Sequence, residues 1–380
     1  MLFDLVATAT FGLEAVVRRE IEALGFDVVK TEDGRITYKG DEKGIVKSNF
    51  WLRSADRVYI KMGEFSATTF EDLYQGIKAI SWEDILPEDG KVIVVGTSVK
   101  SLLHSVPACQ SITKKAIVDR LCNEYGVLEL PEDGPTYTVR FAFLKDKVIV
   151  LLDTSGEGLH KRGYRVANVD APIKETLAAA LINLSFWREG RVMVDPCCGS
   201  GTIGIEAALI GMNIAPGLSR NFAAEEWDII PEEIWKSERK EAYGAIKSDI
   251  NLDITLGDIN PKAISAAKEN AEAAGVDHQI KFVTGDMMAL AAAAPKDIRE
   301  GIIICNPPYG ERIGEEKEIQ NIYSKLKDFM KDNPTWSLFM ITADKDVEEK
   351  VFQRQANRRR KLYNGRIETC YYQFHGEREC

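Results

Sequence analysis

An asparagine and a tyrosine enclose two prolines in the run from Cys305 to Gly310. Because proline fixes its own backbone φ angle, the carbonyl groups of Asn306 and Pro307 can point rigidly to one place. Two such acceptors suit a planar NH2 donor, and holding both hydrogens directs the nitrogen lone pair toward an electrophile. Tyr309 could stack on the base that carries the amine. We therefore predict a catalytic loop of Asn306, Pro307, Pro308 and Tyr309; a proline-rich turn after a buried strand is the structural alternative.

A glycine-containing turn, Asp-Pro-Cys-Cys-Gly-Ser-Gly-Thr, begins at Asp195. Gly199 and Gly201 would let the backbone approach a ligand closely and leave N–H groups of the next helix free to contact it. The turn lacks the Gly-Lys-Ser/Thr ending of a P-loop and the full GxGxxG of NAD sites. The turn could have a purely structural role. Otherwise, we predict that it binds a cofactor through Asp195, Pro196, Cys197, Gly199, Gly201 and Thr202.

Two further acids follow predicted strands. Asp258, next to Ile259, could accept hydrogen bonds from both hydroxyls of a ribose, as in doubly wound nucleotide sites. Asp286, next to Met287, could reach the amino group of an adenine ring. Ligands of such sheets bind at the carboxyl ends of the strands, where all three acids are predicted to lie. An aspartate in an ordinary strand–helix turn is the alternative for Asp258.

The second half of the chain alternates strands with helices, which predicts a doubly wound, mostly parallel sheet. A charged segment, 212–252, interrupts the alternation and predicts a helical insertion whose core holds Trp227 and Trp235. The predicted strands are Val192–Asp195, Ile254–Asp258, Ile280–Thr284, Gly301–Cys305 and Ser337–Thr342, with a final hairpin of Lys361–Tyr363 and Ile367–Phe374. The predicted helices are 173–187, Thr202–Gly211, Pro261–Ala274 and Glu316–Met330.

The first half predicts one or two small α/β units that end near residue 155, followed by a glycine-rich, basic connecting segment, 156–172. Its predicted strands are Leu2–Ala9, Arg35–Lys39, Val92–Thr97, Thr136–Leu144 and Lys147–Asp153. Its predicted helices are Leu13–Leu24, Thr68–Ile80 and Ser111–Tyr125.

Length and composition bound the class of protein. With 380 residues, 45% apolar and 28% charged, the chain is long enough for two or three globular domains, which excludes collagen, coiled coil and whole-chain disorder. It has no apolar run of about 18 residues, and its first residues lack the positive region of a secretory signal. The seven cysteines form no CxxC pair, and the four histidines are isolated, so we expect neither metal nor disulfide framework. We expect a cytoplasmic protein that is not bound to a membrane.

The net charge of −10 argues weakly against a nucleic-acid partner, but the positive charge is local. Residues 91–118 contain lysines and no acid, and residues 350–366 contain lysines and arginines and no acid. Each window could face phosphate groups or could be an ordinary solvated face.

These motifs resemble class I S-adenosylmethionine-dependent methyltransferases that act on amino groups. The stretches Ala9–Glu14, Leu159–Arg165, Lys174–Leu177 and Leu362–Arg366, and the Lys100-to-Leu121 pattern, are similar to the bacterial THUMP-domain 23S rRNA guanine-N2 methyltransferases of the RlmL type. The resemblance implies a ferredoxin-like subdomain at 1–65, a THUMP RNA-binding domain at 66–155, a linker at 156–172 and a Rossmann-like methyltransferase domain at 173–380. Phenylalanine is usual in the family where Cys197 stands. The chain ends after the methyltransferase hairpin, so we expect no second modification activity.

The resemblance also implies roles for the candidate residues. The glycine turn would hold the methionine part of S-adenosylmethionine, Asp258 the ribose and the Asn306 loop the target amine. Thr176 and Asn306 itself would also be among the cofactor residues. RNA, most simply 23S rRNA, would contact Lys100, Lys114, Lys115, Arg120, Arg358, Arg359 and Arg360, while Lys161 and Arg162 would contact RNA phosphate or close over the cofactor. A tRNA guanine-N2 enzyme, a DNA adenine-N6 methyltransferase and a non-catalytic RNA-binding protein that retains the fold stay open as alternatives. A non-catalytic protein would be expected to have lost key residues of the glycine turn or of the catalytic loop.

Overall fold

The computed structural model describes residues 1–167, 172–286, 289–290, 300–309 and 316–377. Its N-terminal half contains one seven-stranded sheet with the order β2-β3-β1-β4-β7-β6-β5. The strands are β1 (Phe3–Thr8), β2 (Val28–Glu32), β3 (Arg35–Gly40), β4 (Arg57–Ser66), β5 (Lys91–Val99), β6 (Thr136–Leu144) and β7 (Lys147–Asp153). The helices are α1 (Glu14–Ala23), α2 (Glu42–Trp51), α3 (Phe70–Lys78) and α4 (Val106–Tyr125).

Strand β4 joins the two predicted N-terminal subdomains. It pairs antiparallel with β1 through Ile60 and Leu5, and with β7 through the same Ile60 and Leu152. The predicted boundary at residue 65 therefore falls at the end of a strand that belongs to both units.

The sequence patterns missed β2, α2 and β4. Strand β2 is largely exposed and has no alternation of apolar residues. Helix α2 buries polar side chains, Ser48 and Asn49, beside its apolar ones, so its apolar face is not distinct. Helix α4 begins five residues earlier than predicted, because Pro107 occupies its first turn, where a missing N–H costs nothing.

The C-terminal half confirms the doubly wound sheet, with the order β10-β9-β8-β11-β12-β14-β13. Strands β8 to β12 are parallel, β14 is antiparallel to β12, and β13 lies at one edge of the sheet, with β10 at the other. The strands are β8 (Met193–Asp195), β9 (Ile254–Asp258), β10 (Ile280–Thr284), β11 (Ile302–Cys305), β12 (Ser337–Thr342), β13 (Arg358–Asn364) and β14 (Ile367–Phe374). The helices are α5 (Glu175–Leu184), α6 (Thr202–Gly211), α7 (Glu232–Gly244), α8 (Pro261–Ala273) and α9 (Glu316–Asp332).

The insertion at 212–252 packs against the N-terminal half. Its two tryptophans are buried core residues, as predicted, but the core is shared with the N-terminal half rather than belonging to the inserted helices alone. Trp227 stacks on Tyr137 of β6, with ring centroids 4.8 Å apart. Trp235 stacks on Phe222 and contacts Phe50 of α2. These rings fill gaps between the two halves because both sides offer large apolar surfaces. Within the described residues, no helix is both long enough and apolar enough to cross a membrane.

Candidate active site

A cavity of about 640 Å³ opens at the carboxyl ends of β8, β9 and β11. Strands β8 and β11 are neighbours although β9 and β10 come between them in the chain, so this edge is the topological switch point where doubly wound sheets bind ligands. Most of the predicted cofactor and catalytic residues line it. They are Asp195, Pro196, Cys197, Gly199, Thr202, Asp258, Ile259, Asp286, Asn306, Pro307, Pro308 and Tyr309.

The glycine turn and the end of β9 are tied together by one carboxylate. The Gly199 N–H donates to Oδ2 of Asp258 at 3.0 Å, and the Asn260 N–H donates to Oδ1 at 2.9 Å. Each oxygen keeps a lone pair, so Asp258 can still accept two hydroxyl groups. Gly201 does not line the cavity: it has a φ of +81°, and a Cβ there would lie 3.0 Å from the Cβ of Ala267. Its role is to close the turn against α8.

Asp195 presents a buried acceptor at the wall of the cavity. Its Oδ1 accepts from the Cys197 N–H at 3.1 Å, while its buried Oδ2 meets no donor among the described residues. Burial, with the negative charge of Asp258 adding to it, raises the pKa of Asp195 to about 8. A cationic donor in the cavity would satisfy this oxygen and restore the charged form. The ammonium group of S-adenosylmethionine has that chemistry.

Asp286 pairs with a lysine, Lys325, that no sequence motif indicated. Lys325 of α9 also lines the cavity, and its Nζ lies 2.7 Å from Oδ2 of Asp286. Oδ1 of Asp286 accepts from the Ala289 N–H at 3.2 Å. The adjacent candidate, Met287, lies outside the described residues.

The catalytic loop carries a hydrogen-bond chain. The Tyr309 hydroxyl donates to Oδ1 of Asn306 at 2.6 Å, and Nδ2 of Asn364 donates to the Tyr309 hydroxyl at 3.2 Å. Burial raises the pKa of Tyr309 to about 12, so its phenol is neutral and keeps its hydrogen at physiological pH. Asn364 ends β13 in the final hairpin. The Asn-Gly turn was visible in the sequence, but its place at the cavity was not.

Thr176 does not belong with the cavity residues. Its side chain is buried, and its hydroxyl donates to Oδ1 of Asp56 at 3.5 Å, across the boundary between the two halves. Lys174, two residues earlier, lines the cavity instead. The segment directly before α5 thus contributes to the site, through a different residue from the one expected.

Helix α4 carries three of the predicted RNA contacts, and acids from elsewhere in the chain meet two of them. Nζ of Lys114 lies 2.9 Å from Glu132, and Arg120 forms ion pairs with Glu83 and Glu124. Lys115 is exposed, as is Lys100 directly after β5. The window 91–118 is free of acid in sequence but not in space.

Arg162 is buried and does not belong with the predicted RNA contacts. It is 4% exposed and lies against Glu206 of α6, which is fully buried, at 3.4 Å. It also donates to the carbonyl groups of Leu159 and Arg53. Because it is sealed between the two halves, Arg162 cannot reach a phosphate or close over the cofactor. Its neighbour Lys161 is exposed, with Glu157 at 3.3 Å.

The three arginines at 358–360 begin edge strand β13, which starts three residues before the predicted hairpin strand. Arg358 is exposed, Arg359 forms an ion pair with Glu348 at 3.1 Å, and Arg360 donates to the carbonyl of Gly12 at 2.7 Å. Arg360 therefore connects the two halves, while Arg358 and Arg359 are both exposed.

Family models match three consecutive parts of the chain. Residues 4–59 match an RlmL ferredoxin-like domain, residues 67–153 a THUMP domain, and residues 162–373 an RMKL-like methyltransferase domain. YpsC of Bacillus subtilis (strain 168), whose name proposes an RNA methyltransferase, is 45% identical over 98% of this chain and 96% of its own.

Two further relatives bear on the site. Ribosomal RNA large subunit methyltransferase K/L of Cellvibrio japonicus (strain Ueda107) is 30% identical over 97% of this chain, which spans about half (50%) of that relative. The crystal structure of SMU.472 complexed with SAH superposes with a TM-score of 0.93 and 44% identity, covering 100% of this chain and 99% of that one.

Proposed function

The chain belongs to the RMKL-like methyltransferase family, and from that membership we propose that it transfers a methyl group from S-adenosylmethionine to the 2-amino group of a guanine in 23S rRNA. S-adenosylmethionine is the methyl donor, and RNA is the class of substrate. The guanine N2 atom, the rRNA molecule and the roles of individual residues are the proposal.

One observation carries it: Asn306 and the three carboxylates line the same cavity at the switch point. In this proposal Asp195 offers its oxygen to the ammonium of the donor, Asp258 offers lone pairs to the ribose, and Asp286 accepts a hydrogen bond from the adenine amine. Asn306, directly after β11, then holds an exocyclic amine beside the methyl group. Attack by an amine needs no covalent intermediate, so positioning supplies the rate enhancement. The amine can lose its proton after transfer.

Ribosomal RNA is favoured over DNA by the N-terminal half. A THUMP domain spans 67–153. Two relatives whose alignments cover 97% and 90% of this chain are named as large-subunit rRNA methyltransferases. Exposed Lys100 and Lys115 offer phosphate contacts on that half.

The test is methyl transfer from labelled S-adenosylmethionine to unmodified 23S rRNA, bulk tRNA and duplex DNA, each digested to nucleosides. We expect N2-methylguanosine from 23S rRNA. N2-methylguanosine from tRNA alone would change the proposed substrate from 23S rRNA to tRNA and would keep guanine N2 as the methylated atom. N6-methyladenine from DNA with no product from RNA would refute the proposal, while leaving the role of the Asn306 loop intact.

A further inference from the structure

The cavity wall contains a hydrogen-bond chain with a fixed direction. Nδ2 of Asn364 carries only hydrogens, so it can only donate to the Tyr309 oxygen, at 3.2 Å. Tyr309 has a single hydroxyl hydrogen, which is then free to point at Oδ1 of Asn306, 2.6 Å away. The chain runs one way, from Asn364 through Tyr309 to Asn306.

This direction has a consequence for the Asn306 amide. Its oxygen is held toward Tyr309, so rotating the amide to present its NH2 group to the target would break the 2.6 Å hydrogen bond. A carbonyl oxygen has two lone pairs, and the tyrosine uses one of them. The other stays available for a substrate amine. Consecutive hydrogen bonds also polarise one another, which makes the Asn306 oxygen a better acceptor.

We propose that Asn364 is a positioning residue for methyl transfer: it sets the direction of the Tyr309 hydroxyl and thereby keeps the Asn306 oxygen aimed at the target amine. This inference rests on the proposed function only in requiring an exocyclic amine as the acceptor. It gives Tyr309 a second task besides stacking.

The hairpin that carries Asn364 is fixed from outside the methyltransferase domain. Arg360, on the same strand, donates to the carbonyl of Gly12 at 2.7 Å. Gly12 has a φ of +90°, and a Cβ there would lie 2.6 Å from the carbonyl oxygen of Lys361. The ring of Phe11 meets that of Tyr363 edge-on at 6.2 Å. The N-terminal half therefore holds the strand that places Asn364.

Two substitutions of Asn364 separate the effect of the hydrogen-bond direction from the effect of side-chain packing. Asn364→Ala removes the donor, and Asn364→Asp puts in its place an acceptor that competes for the tyrosine hydrogen. Asn357→Asp is the matched control, since Asn357 precedes the same strand and its oxygen accepts from the His375 N–H at 2.8 Å, which an aspartate preserves. Steady-state kinetics would use whichever nucleic acid the wild-type chain methylates, with S-adenosylmethionine affinity and melting temperature measured on each variant.

We expect Asn364→Ala to lower kcat about tenfold and Asn364→Asp to lower it further, with KM for S-adenosylmethionine within twofold of wild type and Asn357→Asp unchanged. In a Tyr309→Phe background, Asn364→Ala should add no further loss, because the chain is already broken. An unchanged kcat in Asn364→Asp, or the same tenfold loss in the Tyr309→Phe background, would overturn the proposal. The identity of the methylated nucleoside tests the proposed function separately, because the chain of hydrogen bonds serves any exocyclic amine.

Discussion

Trp227 of the insertion stacks on Tyr137 of the N-terminal sheet, with ring planes 19° apart, and its Nε1 donates to the carbonyl of Thr136 at 3.2 Å. The two residues join the half that carries the cavity to the half that carries the THUMP domain. The target base must reach the cavity while the rest of the RNA contacts the N-terminal half, so the relative placement of the halves decides where the base arrives.

Replacing Trp227 with alanine should therefore destabilise the whole chain. A buried tryptophan truncated to alanine typically costs about 3–5 kcal/mol, and here the space lies between the two halves. The urea midpoint and melting temperature would show it. The control is Tyr243→Ala, an aromatic on α7 of the same insertion that is 59% exposed. Equal stability of the two variants would contradict the bridging role.

Asn306→Ala should abolish methyl transfer while cofactor binding stays near normal. Loss of the acceptor leaves the amine unaligned, and a misplacement of about 1 Å can cost about a hundredfold in rate. Transfer of label gives the rate, and calorimetry with S-adenosylhomocysteine gives the affinity. Asn251→Ala, at an exposed asparagine, is the control. Activity within tenfold of wild type would remove Asn306 from the catalytic role.

Lys114→Glu combined with Lys115→Glu should weaken RNA binding with little effect on the cofactor. Each phosphate contact contributes a salt-dependent term, so the slope of log affinity against log salt should fall by about 1–2. Lys115→Glu is the cleaner single change, because a glutamate at 114 would also face Glu132. The charge-matched control is Lys236→Glu with Lys240→Glu, on exposed positions of α7. RNA affinity equal to that of the control would assign the RNA contacts elsewhere.

Arg162→Ala should lower stability rather than RNA affinity. Removing one partner of a buried ion pair leaves the other charge uncompensated, which typically costs about 3–5 kcal/mol; here Glu206 would be left. Lys161→Ala, one residue away and exposed, should change stability little. Thermal melts and RNA titrations at a temperature where both variants are folded separate the effects. A reduced salt slope for Arg162→Ala in the folded state would restore Arg162 as an RNA contact.

Asp195→Asn should flatten part of the pH dependence of stability. With a folded pKa of about 8, Asp195 keeps a proton that the unfolded chain loses near pH 4. The folded state then binds more protons, so stability falls as pH rises between about pH 4 and pH 8. The melting temperature of wild type should drop relative to Asp195→Asn across that window. Buried acids such as Glu20 and Glu175 have raised pKa values too, but they are present in both proteins and cancel.

S-adenosylhomocysteine provides the second arm of that experiment. Its ammonium group would stabilise the Asp195 carboxylate, so its affinity for wild type should rise with pH up to about 8. The affinity of Asp195→Asn should not follow this trend. Parallel pH profiles for the two proteins, in stability and in affinity, would mean that Asp195 is ionised throughout the range.

The doubly wound sheet and most of the residues that line the cavity could be predicted from local sequence patterns. Apolar strands, helix caps and rigid turns are local patterns, so Asp195, Asp258 and Asn306 could be assigned to strand ends before any contact was known. Since carboxyl ends of parallel strands meet at one edge, the three were expected together, and they line one cavity. The same local reasoning failed for β2 and α2, whose surfaces lack a clear apolar face.

Local patterns could not predict which partner each charged or polar group meets in the folded chain. Arg162 and Glu206 lie 44 positions apart in the sequence, and Asn364 and Tyr309 lie 55 positions apart. Neither pair therefore falls within one helix, strand or turn motif. Glu132 and Glu83 reach Lys114 and Arg120 in the same way. Such contacts depend on how helices and sheets pack across layers, and packing is set by the shapes of distant surfaces rather than by local periodicity.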